Sequence, residues 1–590
     1  MLSFLGSGRA EAHPLHSVKS ATAWLAALPA LDVMARAQLA IEALEHLREK
    51  PATIDHAAAH ALLHVDRALG PDRRKLARQL VERSALGNAV QERIWKANIE
   101  LVTGLVAAYE AVLGTALDPE RYAAWKALVP SLTVRVLHHY TSDAKLRVGN
   151  HEAWIPARWR SLHRIYVRAT ELGIDRLHVS VGDGTPGAHH RTIEREYICA
   201  LLLHLLGSGN LSAAQIDWAT GQVRGCSSRL KLTTAPAGDD DFVVDLTADR
   251  GLERGSVGRS GPALRFLDTT PMIACFDAVI NAERAALDAD NMTGVVARER
   301  VGVLEKMRIA MSTNALGEMR SEPREACEVP ARVRVGLAAI HHLRKEHDVA
   351  DEDDPGDNVI ELRPLRQAAY PRSSWPRPAA APASDTLCAT LAVGDHTIWQ
   401  VTDRSASGLR IVAQGELAPG RALGALIAVR QSDIARWRLG ITRRLKRLSA
   451  GKTEIGVSLI ADHFKAVRLR PKRAGVKGSG MEVEGLDTAM LGSPIDALYL
   501  PPPSRHHKPV LAKSVILPAA DYSAGRELIL TTPRSIYTVA LRSVVEQRGD
   551  WCWAALSIIA KEARAARTAA GASAAAAASS AGEAPTLAPS

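Results

Sequence analysis

The chain of 590 residues is poor in aromatic residues and in cysteine. Aromatics make up 4% of it, so the hydrophobic cores must be built mainly from leucine, valine, isoleucine and alanine. A disulfide scaffold needs denser cysteines than this chain has, and a structural zinc site needs paired ones. We therefore predict reduced thiols at all six positions, namely Cys199, Cys226, Cys275, Cys327, Cys388 and Cys552.

Long apolar runs are also missing from the sequence. No stretch of about 18 apolar residues is present, so no membrane span is predicted. The first residues contain neither a basic segment nor an apolar stretch that is long enough for a signal peptide. We therefore expect a cytoplasmic protein. The net charge of +10 favours anionic partners such as nucleotides, although no lysine-rich arm concentrates it.

The first 310 residues have the hydrophobic periodicity of packed helices. Gly173 follows one apolar stripe directly, where a C-terminal cap residue belongs. Ser212 precedes Gln215 by three residues, the spacing of a capping box that begins another helix. A short strand is predicted at Val243–Leu246. The stripe before Gly173, with spacings of three or four residues, consists of Trp159, Leu162, Tyr166, Ala169 and Leu172.

After Pro330 the hydrophobic period changes from that of helices to that of strands. Short alternating segments separated by glycine and serine turns predict a small antiparallel barrel and a second β unit. The second unit is predicted to end in an apolar helix near Trp551–Ala560. The alternating apolar pairs and triplets are Trp399 and Val401, Leu409 and Ile411, Trp437, Leu439 and Ile441, and Ile455, Val457 and Leu459.

The predicted fold class is therefore a multidomain α + β protein, with a helical N-terminal half, an antiparallel β-barrel and a second small β domain. Residues 346–385 combine an acidic cluster with a proline- and alanine-rich stretch, and such a composition predicts disorder. The predicted units are a helical domain (1–150), a second, mainly helical domain (151–318), a barrel with a disordered insertion at about 346–385 (319–465), a C-terminal β domain (466–562) and a disordered alanine-rich tail (563–590).

The sharpest motif is a D-x-S-x-x-G loop formed by Asp403, Ser405 and Gly408, between two predicted strands. Upstream, Arg320 and Arg324 fit an R-x-x-x-R pattern. These motifs and the strands around them resemble PilZ domains. The helical half followed by β units is similar to long, multidomain PilZ proteins that bind cyclic di-GMP and act in type IV pilus and surface behaviour.

The resemblance implies that Arg320 and Arg324 clamp cyclic di-GMP, with Asp403 accepting from guanine N–H groups. Ser405 would donate to the ligand, and Gly408 would let the backbone approach it. Arginine suits this ligand because its planar fork can grip a phosphate or a guanine edge through two hydrogen bonds. The two halves of the pattern lie far apart in sequence, so the acidic and proline-rich stretch must be an insertion in the barrel.

The resemblance therefore implies a signalling adaptor that binds cyclic di-GMP and regulates contacts with an unidentified protein partner. The alternative is a degenerate PilZ-like barrel that serves as a structural scaffold and binds no nucleotide. In that case the D-x-S-x-x-G segment is a turn held by its own side chains. Arg320 and Arg324 would then be solvated linker residues.

Two other sets of residues carry groups capable of chemistry. From Arg436 to Lys452, seven of 17 residues are basic, which fits either a phosphate-binding rim or a solvated strand face. Single-strand stacking needs exposed aromatics, so no nucleic-acid partner is predicted. His56, His60 and His64 recur at intervals of four, but a polar helix face explains them better than a metal site. No nucleophile–base pattern is visible, so we predict no metal, no cofactor and no enzymatic activity.

Overall fold

The computed structural model describes residues 13–82, 88–180, 190–207, 209–238, 241–289, 294–313, 323–343, 397–414, 423–434, 436–449, 451–472, 493–501, 513–531 and 535–563. Arg320 and the predicted insertion at about 346–385 lie outside these residues. The predicted tail 563–590 lies outside them from residue 564 onward.

The N-terminal half is built mainly from helices. Its helices are α1 (Val18–Ala27), α2 (Val33–Glu49), α3 (His56–Ala68), α4 (Gly70–Glu82), α5 (Asn88–Ala116), α6 (Tyr122–Trp125), α7 (Val129–Gly149), α8 (Pro156–Glu171), α9 (Ile193–Leu205), α10 (Ala213–Cys226), α11 (Thr270–Ala289) and α12 (Gly294–Met311). Short 3-10 turns lie at Pro14–His16, Pro51–Thr53 and Ser227–Arg229.

Two small sheets accompany these helices. The first pairs β1 (Val179–Ser180) with β2 (His190–Arg191). The second has the order β3-β6-β4-β5. Its strands are β3 (Leu232–Thr233), β4 (Phe242–Asp245), β5 (Glu253–Arg254) and β6 (Leu264–Leu267). The strand predicted at Val243–Leu246 is thus confirmed as β4, one residue earlier.

The local helix signals in the sequence are confirmed. Trp159, Leu162, Tyr166 and Ala169 lie buried on one face of α8, and Gly173 beyond its end has a left-handed φ of 65°. Ser212 and Gln215 form a reciprocal capping box at the start of α10. These features depend only on neighbouring residues, which is why the sequence predicts them.

One hydrophobic cluster extends from Leu15 to Met311 and runs through both of the predicted helical units. In the part of the chain that the structure describes, the segment Ala89–Ala116 is long and apolar enough to span a membrane. It lies inside this cluster, with α2 and α7 packed against it and Leu105 and Tyr109 fully buried. An apolar helix that is surrounded by other helices is typical of a protein core, so this segment is weak evidence for a membrane span.

Six antiparallel strands close the first barrel in the order β10-β11-β12-β9-β8-β7. A short helix, α13 (Leu337–His341), follows β7, the first strand of the barrel along the chain. Side chains alternate between the barrel interior and the outside, as the period of two predicts, and Trp399, Val401 and Ile411 point inward. The strands are β7 (Glu325–Val335), β8 (Thr397–Arg404), β9 (Gly408–Gln414), β10 (Leu426–Gln431), β11 (Arg438–Ser449) and β12 (Lys452–Ala461).

A second barrel follows, with six antiparallel strands in the order β13-β14-β15-β18-β17-β16. The predicted fold class, a helical half followed by two β units, is therefore confirmed. A 3-10 turn lies at Ala519–Asp521. The strands are β13 (Lys465–Pro471), β14 (Ile495–Leu500), β15 (Ser514–Pro518), β16 (Glu527–Thr531), β17 (Ser535–Gln547) and β18 (Trp551–Ala563).

The prediction of a helix near Trp551–Ala560 is wrong, because that segment forms strand β18. Alanine favours a helix in isolation, but β18 has a partner on each side, β15 and β17, and fills the gap that closes the barrel. Trp551, Trp553 and the pair Ile558 and Ile559 are residue types that suit a half-buried pleated surface. Pairing with distant strands therefore overrides the local preference.

The first barrel contacts the helical half through the edge of β11. Strand β10 pairs with β11 only from Arg438 to Ile441, which leaves the later part of that edge open. The backbone N–H of Leu445 donates to the carbonyl of Gly209 (2.9 Å), and that of Arg447 donates to the carbonyl of His151 (2.9 Å). The helical half thus supplies the hydrogen bonds that a neighbouring strand would otherwise make.

The two barrels share a separate apolar cluster that lies between them. Helix α13 contributes Leu337 and Ile340, the first barrel contributes Leu426 and Ile441, and the second contributes Trp551. Strand β10 is therefore buried on both faces, since its alternate residues line the barrel interior. This packing explains its continuous apolar run from residue 425 to residue 429.

Candidate functional site

The loop between β8 and β9 is a tight turn held by two backbone hydrogen bonds, one within the loop and one from β12. The N–H of Ser405 donates to the carbonyl of Gly408 (2.8 Å), and the carbonyl of Ser407 accepts from the N–H of Leu459 (2.9 Å). A Cβ at Gly408 would lie 3.1 Å from the carbonyl oxygen of Val457, so the backbones approach closely there. The predicted motif thus forms an ordered loop at one end of the barrel.

Arg324 lies against this loop although it is 79 positions from Asp403 in the sequence. Its Nη1 is 3.3 Å from Oδ1 and 3.4 Å from Oδ2 of Asp403. The contact arises because β7 and β8 pair directly, with Ala326 opposite Asp403. The Arg324 side chain is 51% exposed and that of Asp403 is 15% exposed. The structure therefore brings Arg324 to the Asp403–Gly408 loop, whereas Arg320 lies outside the described residues.

A second arginine, which the sequence analysis did not single out, faces the same carboxylate. Nη2 of Arg410 lies 3.5 Å from Oδ2 of Asp403, and its side chain is 40% exposed. The two residues are opposite each other in the β8–β9 hairpin. Assigning that hairpin register from the turn would have revealed the pair, since directly opposed side chains interact. Asp403 thus stands between two exposed guanidinium groups.

Arg404, the next residue in the motif, belongs to a different set of contacts. Successive residues of a strand point to opposite faces, so Arg404 points away from Asp403. Its guanidinium donates to Glu325 (3.0 Å) and to Asp433. These hydrogen bonds, that of Glu325 first, raise the pKa of Arg404. They lie beside the loop and help to hold β7 and β8 together at this end of the barrel.

Two arginines of the basic stretch from Arg436 to Lys452 make contacts between parts of the protein. Arg443 makes two hydrogen bonds of 2.6 Å to Glu546 of the second barrel. Arg447 lies 3.6 Å from both Glu92 and Glu152 of the helical half. The sequence left two interpretations open, a solvated strand face and a phosphate-binding rim. Neither describes Arg443 and Arg447, because both arginines are paired with carboxylates.

Two of the three spaced histidines, His56 and His64, make separate contacts. Nε2 of His56 lies 3.2 Å from the carbonyl of Ala124, and its ring stacks on Trp125. Nε2 of His64 lies 3.1 Å from Oγ1 of Thr22. Within the described ranges, no group of three or more histidine, cysteine, aspartate or glutamate residues is arranged to hold a metal ion.

Comparison with known proteins gives one match. A family model described as the N-terminal domain of the cyclic-di-GMP receptor FimW matches residues 19–237, which run from α1 to the loop after β3 and stop short of both barrels. Searches of the curated proteins and of the solved structures gave no match. Over residues 19–237, which do not include the two motifs, the chain therefore matches the N-terminal domain family of a cyclic-di-GMP receptor, and this confirms the resemblance to long cyclic di-GMP-binding proteins.

Proposed function

We propose that this protein is a cyclic di-GMP receptor, not an enzyme, and that its first barrel is a PilZ-type domain that holds the nucleotide. The observation that carries the proposal is the meeting of Arg324 and Arg410 at Asp403, beside the ordered turn that ends at Gly408. The family description of residues 19–237 supports it, because it names a receptor for this nucleotide.

The charges at the loop suit a ligand that carries both phosphates and guanine edges. Two guanidinium groups share the one carboxylate of Asp403, so one of them can turn to an anionic ligand while the other stays paired. Arg324 is more exposed than Arg410, so it can turn from Asp403 to a phosphate or to the O6 and N7 atoms of guanine at lower cost. Arg410 then stays beside Asp403 and keeps its carboxylate oriented to accept guanine N–H groups.

The remaining motif residues complete this arrangement. The hydroxyl of Ser405 lies 3.5 Å from the carbonyl of Gly408, a weak hydrogen bond that a ligand acceptor can replace. The absence of a side chain at Gly408 lets its backbone pack against Val457, which keeps the turn closed beside Asp403. Arg320 stands four residues before Arg324 and is proposed as the second clamp of the R-x-x-x-R pattern.

The output of the receptor is proposed to be a change in contacts between parts of the protein or with a protein partner. The first barrel is joined to the helical half by the edge of β11, through Leu445 and Arg447. A ligand that draws Arg324 over the barrel end favours one arrangement of these parts over another, which is sufficient for signalling. By resemblance, the proposed role is in pilus or surface behaviour, and the proposed location is the cytoplasm.

The test is calorimetric titration of the purified full chain with cyclic di-GMP. We expect Arg324→Ala and Asp403→Ala each to lower the affinity about tenfold or more, because each removes a charge-assisted hydrogen bond to the ligand. The matched control is Arg468→Ala. Arg468 is an exposed arginine that also pairs with an aspartate, Asp496 at 3.2 Å, but in the second barrel.

A different result would favour a structural scaffold. The hydrogen bond from the N–H of Ser405 to the carbonyl of Gly408 holds the turn by itself, which is the observation in favour of that alternative. Absence of binding at tens of micromolar nucleotide (about −6 kcal/mol) would contradict the receptor proposal. Equal losses of affinity in Arg324→Ala and Arg468→Ala would contradict the proposed site but not binding itself.

A further inference from the structure

Two cysteines that are distant in sequence face each other in the helical half. Cys226 is the last residue of α10, and Cys275 lies in the second turn of α11. Their Sγ atoms are 2.6 Å apart, closer than two non-bonded sulfur atoms normally approach. Among the five cysteines that the structure describes, this pair has its sulfur atoms in contact. The other three, Cys199, Cys327 and Cys552, lie elsewhere.

Both thiols are held in place by helices with fixed positions in the core. Ile216 and Val223 anchor α10, and Met272 and Phe276 anchor α11, all of them buried in the same hydrophobic cluster. Ser227, the residue after Cys226, accepts a hydrogen bond from Nε of Arg195 (2.9 Å). The two sulfur atoms therefore meet without movement of either helix, which is the geometric condition for a disulfide.

We propose that Cys226 and Cys275 form a reversible disulfide when the protein meets a peroxide or a low-molecular-weight disulfide. Cys275 is half-buried and reaches solvent, whereas Cys226 is only 6% exposed. Burial, and then the hydrogen bond with Cys275, raise the pKa of the Cys226 thiol, which disfavours the thiolate of Cys226 that would attack an oxidant. Cys275 is therefore the first sulfur to be oxidised, and Cys226 is the resolving thiol.

The reaction with a peroxide consumes both thiol protons. The Cys275 sulfur attacks one peroxide oxygen, the O–O bond breaks, and the leaving hydroxide takes the thiol proton to form water. The resulting sulfenic acid is attacked by the Cys226 sulfur, the S–O bond breaks, and a second water leaves with the Cys226 proton. Each sulfur is oxidised and the peroxide is reduced. With a small disulfide, the products are two small thiols formed by exchange.

The bond would link two elements that the chain otherwise joins through 49 positions. Helix α10 is the last helix of the segment that matches the receptor family, and α11 is the next helix along the chain. A covalent link between them opposes any separation of α11 from that segment. This site lies in the helical half, so the inference does not depend on nucleotide binding by the barrel.

The test is oxidation of the reduced full chain with hydrogen peroxide or oxidised glutathione, followed by alkylation and peptide mapping by mass spectrometry. We expect a linked peptide pair containing Cys226 and Cys275, lighter than the two thiol peptides by two hydrogen atoms. Dithiothreitol should restore both thiols. In Cys275→Ser, Cys226 should remain alkylatable, because its only sulfur partner among the described residues is gone.

Cys327→Ser is the matched control, since Cys327 is also partly exposed but lies in β7 and donates to the carbonyl of Val401. This variant should form the linked peptide as the wild type does. The proposal is overturned if Cys226 and Cys275 both stay alkylatable under conditions that oxidise Cys327. A linked peptide that joins either cysteine to another partner would overturn it as well.

Discussion

At the scale of single residues, Asp66 is a fully buried carboxylate with four polar partners. Its carboxylate accepts from Tyr109 (2.8 Å) and Arg73 (2.5 Å), and it lies 3.0 Å from Nε2 of His139 and 3.4 Å from Arg135. Burial would raise the pKa of Asp66, but His139 and Arg73 outweigh burial and hold it well below its usual range. All these partners come from helices, so the cluster holds the helical half together.

Asp403 differs from Asp66 in exposure and in its partners. Its two arginines, Arg324 and Arg410, approach only to 3.3–3.5 Å, so neither is held tightly, and the more exposed Arg324 can exchange the carboxylate for a ligand. Surface pairs of this kind contribute little to stability. A carboxylate that is flanked by exposed cations adds little to folding, and it therefore suits recognition better than the buried Asp66 cluster does.

His151 gives a prediction about pH. Burial, and then the charge of Arg447, lower the pKa of His151 to about 4. In the unfolded chain its imidazole takes a proton near pH 6.5, so the unfolded state binds more protons between these values. The free energy of unfolding therefore falls as the pH drops below about 6.5, by up to roughly 1.4 kcal/mol per pH unit for this group.

The variant His151→Asn isolates that contribution. Asparagine tolerates the left-handed backbone of this residue (φ 59°) and carries no proton in this range. We expect the variant to lose less stability than the wild type in urea unfolding between about pH 7 and pH 5. Equal losses of stability in the wild type and in the variant would show that protonation of His151 does not contribute to the pH dependence.

At the scale of secondary structure, the edge of β11 depends on Gly209. This residue has a left-handed φ of 76°, and a Cβ there would lie within 1.9 Å of the carbonyl oxygen of Leu445. We expect Gly209→Ala to lower the free energy of unfolding by about 3 kcal/mol, because backbone strain adds to displacement of the β11 edge. Thermal unfolding followed by circular dichroism measures the effect.

Gly173→Ala is the matched control for this prediction. Gly173 has a similar φ of 65°, but a Cβ added there would meet no atom within 4 Å. Its substitution should cost about 1 kcal/mol, from backbone strain alone. Equal costs at the two glycines would contradict a tight contact between the helical half and the barrel at Gly209.

How far the sequence predicts an element depends on where its partners lie. The stripe of α8 and the Ser212 capping box are local patterns, and the structure has both. The local pattern of β18 predicts a helix, but its partners, β15 and β17, decide its conformation. The local pattern of an element does not predict which other elements it pairs with.

The same limit applies to the candidate sites. The loop Asp403–Gly408 is visible as a contiguous motif, but the place of Arg410 follows from the register of the hairpin. No short spacing joins Cys226 and Cys275, so the sequence predicts unrelated thiols, and only the packing of α10 against its neighbours brings them together. Residues from separate elements come together only in the folded protein, and the local patterns of a single sequence do not predict those contacts.

At the scale of the whole molecule, the three parts of the protein meet around Glu546. This residue of β17 accepts two hydrogen bonds from Arg443 of the first barrel and two from Arg548 of its own barrel. Burial would raise the pKa of Glu546, but these arginines outweigh burial and lower it. Burial, and then the charges of Arg548 and Arg443, lower the pKa of Lys306 in α12 of the helical half. One carboxylate thus lies among three cations and compensates only part of their charge.

Replacing Glu546 tests whether this meeting point holds the parts together. Glu546→Gln keeps the shape of the side chain but removes its charge, and it leaves Arg443, Arg548 and Lys306 to repel one another in a partly buried place. We expect the free energy of unfolding to fall by about 2 kcal/mol and the thermal transition to broaden as the barrels and the helical half unfold less cooperatively. Glu527→Gln, which removes an exposed pair with Lys472 (3.0 Å), should cost well under about 1 kcal/mol. Similar small effects in both variants would mean that the apolar cluster between the barrels and the hydrogen bonds at the β11 edge hold the parts together without this carboxylate.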